Sequence, residues 1–157
     1  MKSITLHLTE RLVWQVGLAL PFLVSLWIWG PVEALAQLWA LIGLLVLHEP
    51  LHVAGYTLVG RRTQLTMVRG WLPTVAVYVA QPMPIVSYRV GLLAPAIWMS
   101  ATCLVGAALG QFWLVSAGLG GLASTSSDLA LAWKTRSVRG QVEDHPTDLG
   151  VLLPESR

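Results

Sequence analysis

The chain is short of charge and nearly devoid of cysteine. Asp, Glu, Lys and Arg make up only 11% of its 157 residues, against roughly 25% in soluble domains. Long stretches therefore carry no ion at all, which excludes a soluble domain with an ordinary solvated surface. The single Cys103 lies in an apolar stretch. It excludes an internal disulfide and any site built on paired thiolates, and it reads as a small buried hydrophobe. Ten Lys and Arg against eight Asp and Glu leave a net charge of only +2. The basic residues flank apolar segments, so they do not form a nucleic-acid footprint.

What the chain has in quantity is apolar surface, 55% of its residues. Segments 12–30, 34–60, 90–110 and 111–133 reach spanning length. The expected fold is an α-helical integral membrane protein of about four transmembrane helices. Very short links pair the first helix with the second and the third with the fourth as helical hairpins. Residues 1–136 are expected to form the membrane-embedded domain and residues 137–157 a cytoplasmic C-terminal tail, solvated and docked on the loop between the second and third spans. Ala34-Leu35-Ala36 resembles a signal-peptidase site, but the apolar run before it is longer than a signal segment requires, so it is read as a span.

Orientation follows from the basic residues. Lys2 and Arg11 precede the first span; Arg61, Arg62, Arg69 and Arg89 lie between the second and third; Lys134, Arg136, Arg139 and Arg157 follow the fourth. All fall on one side, which the positive-inside rule makes cytoplasmic, with both termini there and a multi-pass chain in the plasma membrane. Trp27, Trp29, Trp39 and Trp113 mark the outer edge of the bilayer, and Trp14, Trp71 and Trp133 the inner one.

The segment between the second and third spans is not simply polar. Thr74, Val75, Ala76, Val77 and Tyr78 open a run rich in β-branched residues, Gln81-Pro82-Met83-Pro84 breaks it, and Ile85 to Arg89 follows. This predicts a short cytoplasmic β-hairpin with those two arms, whose Pro residues suit an edge strand. An extended peptide could add a strand to such an edge.

The chemistry concentrates in His48-Glu49-Pro50-Leu51-His52, an H-E-x-x-H run inside the second span. Residues four apart share a helix face, so both imidazoles can reach one zinc ion, with Glu49 placed to take a proton from water. Ionisable groups are costly inside a membrane and point to function there. Pro50 must either kink this helix or break it. A catalytic zinc needs a third protein ligand. His7 and Glu33 lie too far away or on the wrong side, whereas Asp128 is the one acidic residue of the fourth span. Counted from Lys134 and Arg61, Asp128 and His52 lie about 9 and 13 Å deep from the same side, depths that tilt can reconcile. Small residues from Ser116 to Ser124, and the Gly106/Gly110 pair, would let the helices approach. Asp144 and His145 in the tail are rival third ligands.

Four stretches carry a family resemblance: HEPLH in the second span, YRVGLLAPAIW at the start of the third, SSDL in the fourth, and VEDHPTDLGVLLPE in the tail. Over most of its length after the first span, the chain resembles the putative zincin peptidases, small bacterial membrane proteins. More distantly it is similar to site-2-protease-type intramembrane metalloproteases. The resemblance implies one Zn2+ per chain held by His48, His52 and Asp128, with Glu49 as general base. Asp128 stands in Ser-Asp-Leu, not in the Leu-Asp-Gly setting of the site-2 enzymes. The implied activity is hydrolysis of a peptide or membrane-protein substrate at the bilayer. The alternative is a metal-binding membrane scaffold, or a small ion-handling protein, without proteolysis.

Overall fold

Helix-length apolar runs alternate with short β-branched segments, and the chain folds accordingly. The element order is β1 (Lys2–Thr5), α1 (Leu8–Trp29), α2 (Pro31–Leu58), β2 (Gln64–Val68), β3 (Thr74–Tyr78), β4 (Met83–Pro84), α3 (Ile85–Ala108), α4 (Phe112–Ser124), α5 (Ser126–Lys134), β5 (Gln141–Asp144) and β6 (Gly150–Leu153). The structure, a computed structural model, describes residues 2–29, 31–68, 74–145 and 150–153. Gly30, Arg69, Trp71, Arg157 and tail residues 146–149 lie outside the described residues, as do the side chains of Trp29, Glu33, Thr74 and Val75.

Among the described residues, two helices are long and apolar enough to cross a membrane: Leu38–Leu58 within α2, and α3. Val13, Trp27, Trp39, Val46, Ile97 and Leu104 all point outward, an apolar exterior of the kind that meets a membrane or a partner. The expected fourth span is not one helix. It divides at Thr125 into α4 and α5. Ser124 Oγ donates to the Gly121 carbonyl and Thr125 Oγ1 to that of Leu122, and such hydroxyl bonds compete with the helical ladder. Pro50, by contrast, does not break α2, which runs on through it.

The helices close on α4, which packs against α1, α2 and α3. A Cβ on Gly118 would come within 2.5 Å of Cys103 Sγ and 3.0 Å of the Met99 carbonyl oxygen, so backbone meets backbone there. Gly106 and Gly110 do not act as the expected packing pair. Gly106 lies against Leu114 and Val115, but Gly110 has a φ of +66° and no neighbour within 4 Å of a Cβ. It ends α3: Gly110 N–H donates to the Ala107 carbonyl and Gln111 N–H to that of Gly106, the Schellman pattern that needs a left-handed residue.

All strands attach at one end of the bundle, where the eight described basic residues also lie. One sheet has the order β1-β6-β5-β4 and the other pairs β2 with β3. One expectation fails here. The hairpin partner of β3 is β2, with Leu65 opposite Val77. Ile85 to Arg89 instead forms the start of α3, because Pro84 enters the helix with extended backbone and the first N–H, from Ile85, is taken by the Gly140 carbonyl. The tail docks on the segment between α2 and α3, with β5 pairing β4, and part of it is buried. Val142 and Val151 are fully buried, packed with Tyr56, Val79, Met83, Tyr88 and Leu131. Each contributes on the order of 1.5–3 kcal/mol of apolar burial, which tail polarity alone does not reveal. Lys134 ties the first strand to the last helix by donating to the Thr5 carbonyl and to Glu10.

Gly118→Val is expected to destabilise the fold by roughly 1–3 kcal/mol through overpacking. Gly43→Ala, where a Cβ meets nothing within 4 Å, should not. Thermal melts in detergent test the pair, and equal midpoints would contradict the close α3–α4 contact.

Candidate metal centre

Because α2 continues through Pro50, His48 and His52 stay one turn apart on one face. Their Nε2 atoms lie 3.3 Å apart and the rings meet edge to face. The Thr125 break sets Asp128 in the first turn of α5. Asp128 Oδ2 lies 3.4 Å from Nε2 of His48 and 3.4 Å from Nε2 of His52. The three atoms thus form a nearly equilateral triangle in a half-buried to buried setting.

The outward-facing nitrogens decide what the triangle can hold. His52 Nδ1 is 2.9 Å from the Gly91 carbonyl oxygen. A carbonyl only accepts, so Nδ1 carries the proton and Nε2 a lone pair. Ser124 Oγ gives its hydrogen to the Gly121 carbonyl at 2.6 Å, so at 3.3 Å it accepts from His48 Nδ1. His48 Nε2 therefore also carries a lone pair. Asp128 Oδ2 is buried and has no hydrogen-bond donor. With both imidazoles neutral, three acceptor atoms face one another, an arrangement that a cation satisfies. Tetrahedral ligands about 2.0–2.1 Å from zinc stand about 3.3–3.4 Å from each other, the spacing found here. The donor set and its spacing fit zinc.

Glu49 lies beside the triangle, and the ligand atoms of His48, Glu49 and His52 fall within 4.8 Å of one another. Its Oε2 accepts the Val77 N–H at 3.0 Å, so β3 runs along the site. Two residues on, the Val79 N–H is held at 2.8 Å by Asp144 Oδ2. The edge of β3 thus meets one carboxylate at Val77, and the residue just past its end meets a second. Ala76, Val77 and Tyr78 are half-buried there, and Thr74 and Val75 pair through their backbones with Val68 and Met67. Of the two rival third ligands in the tail, Asp144 is engaged by Val79; His7, already set aside on the sequence, is exposed just before α1. Gly91, Ser124 and Gly121 support the imidazoles and were not among the candidates read from sequence. The Ser-rich run before Asp128 signals one of them; nothing in the sequence signals the Gly91 contact by itself.

The class is that of a helical protein with two spanning-length helices and an H-E-x-x-H group able to bind metal. A family described as "putative zincin peptidase" matches residues 41–142, a span that includes all three triangle residues. The chain belongs to this family. No curated protein and no solved structure matches it.

Burial pushes the Asp144 carboxyl up to about 7, against the pull of the Val79 N–H. The folded chain therefore keeps a proton that the unfolded chain releases near pH 4, and stability falls as pH rises from about 4 to about 7 before levelling off. Asp144→Asn retains an acceptor for Val79 and is expected to flatten that slope. Denaturation midpoints at pH 5 and pH 8 measure it, and an unchanged slope would count against the buried acid.

Proposed function

We propose that this chain is a zinc-dependent membrane peptidase, and that His48, His52 and Asp128 hold one zinc ion per chain. The observation that carries the reading is the acceptor triangle: two oriented Nε2 lone pairs and an undonated carboxylate oxygen at tetrahedral spacing. Zinc bound there supplies Lewis acidity for the scissile carbonyl and makes water more acidic. Glu49 is the proton carrier. It accepts a proton from the attacking water and returns it to the leaving amine. Its present bond to the Val77 N–H holds the carboxylate on the β3 side of the triangle.

The substrate is a peptide or membrane-protein segment that enters extended and pairs with the outer edge of Thr74–Tyr78. Pairing at Val77 displaces Glu49 from its N–H and frees the carboxylate for chemistry. The protein sits in the plasma membrane as a multi-pass chain with both termini cytoplasmic, on the strength of its one-sided basic residues.

Glu49→Gln is expected to retain zinc while cleavage falls by about 10²–10⁴-fold. Quantitative proteomics of membranes from cells carrying wild type or Glu49→Gln, with zinc content measured in parallel, tests this. Uncleaved substrate should accumulate in the variant. A metal-binding scaffold without proteolysis would show identical membrane proteomes for the two.

A further inference from the structure

α3 contains Pro95, fully buried, yet the helix is unbroken from Ile85 to Ala108. In a helix the N–H of each residue bonds to the carbonyl four positions earlier. Pro95 has no N–H, so the carbonyl it leaves without its helical donor is that of Gly91. Gly91 is also the residue whose carbonyl oxygen receives His52 Nδ1 at 2.9 Å. The proline ring crowds the carbonyl four residues back and tilts it off the helix axis. In an apolar interior an unpaired carbonyl is costly, so it seeks a donor from outside its helix.

The neighbouring helix is close enough to supply one. A Cβ on Gly91 would stand 2.3 Å from ring carbons of Tyr56, and a Cβ on Gly55 would stand 2.7 Å from Ala94 Cβ and 3.0 Å from Gly91 Cα. The α2 and α3 backbones therefore touch one turn from His52, and the short imidazole can span the gap. Glycine at both positions and proline four residues on are parts of one arrangement.

We propose that Pro95 is a positioning residue of the metal centre. By withholding its N–H it dedicates the Gly91 carbonyl to His52 Nδ1–H, which fixes the tautomer and aims the Nε2 lone pair at His48 and Asp128. The proposal rests on the reading of His52 as a ligand. Supporting bonds of this kind are worth about 10–100-fold in metal affinity. Restoring an N–H at residue 95 gives the Gly91 carbonyl a second donor within its own helix and weakens its hold on the imidazole.

The test uses the full chain in detergent. Pro95→Ala restores the N–H, and replacing residue 95 by lactic acid puts an ester there that has neither N–H nor ring. Zinc affinity is measured by chelator competition, and the His52 tautomer by nitrogen NMR of the metal-free protein. Pro95→Ala is expected to bind zinc about 10–100-fold more weakly, with its thermal midpoint retained and the Nδ1–H tautomer of His52 partly lost. The ester variant is expected to regain both the affinity and the tautomer. Wild-type affinity and tautomer in Pro95→Ala, or equal losses in the alanine and ester variants, would overturn the proposal. Zinc binding absent from wild type would instead overturn the ligand reading, and the tautomer measurement would still decide the role of Pro95.

Discussion

Two imidazole lone pairs and a carboxylate oxygen converge within 3.3–3.4 Å in a largely apolar bundle. Unpaired polar groups are expensive in such surroundings, so their convergence constrains everything around them. The outward nitrogens must each find an acceptor, which Gly91 and Ser124 provide. The α2, α3 and α4 helices must approach closely enough to deliver those acceptors. Glycines at 55, 91 and 118 make that approach possible by leaving no Cβ between the backbones. The centre and the helix packing are thus one design rather than a site placed on a finished scaffold.

The sheets serve the centre from the end of the bundle. Glu49 reaches β3 through Val77, and Asp144 reaches Val79 just past its end. An exposed strand edge invites pairing with other chains. Two carboxylates covering alternate N–H groups blunt that hazard while leaving the edge beside the triangle. The four-stranded sheet joins β1 to the tail strands, and its buried Val142 and Val151 secure the elements that carry Asp144.

Much of the candidate site was legible in the sequence because its signals are local. His48, Glu49 and His52 lie within one helical turn, and an isolated aspartate in an apolar run stands out by cost alone. The family match covers the same residues. The misread parts depend on partners distant in sequence. Ile85 to Arg89 reads as a strand from its β-branched start, but its first N–H is satisfied by Gly140, some fifty residues on. Val142 sits among the polar residues Gln141, Glu143 and Asp144, and it is buried where it pairs with Met83 of β4, as Val151 is where it pairs with Ile4 of β1. The division of the fourth apolar segment turns on hydroxyl-to-carbonyl bonds of Ser124 and Thr125, which hydropathy does not register. Gly110 looked like half of a packing motif, and a left-handed turn fits the same spacing.

On the proposed reading, Nε2 of His48, Nε2 of His52 and Oδ2 of Asp128 bind one metal ion together. X-ray absorption at the zinc edge of the detergent-purified protein, combined with elemental analysis, tests it most directly. About one zinc per chain is expected, with a first shell of two imidazole nitrogens and carboxylate or water oxygens near 2.0–2.1 Å. No zinc after metal loading, or a shell containing sulfur or a single imidazole, would contradict it.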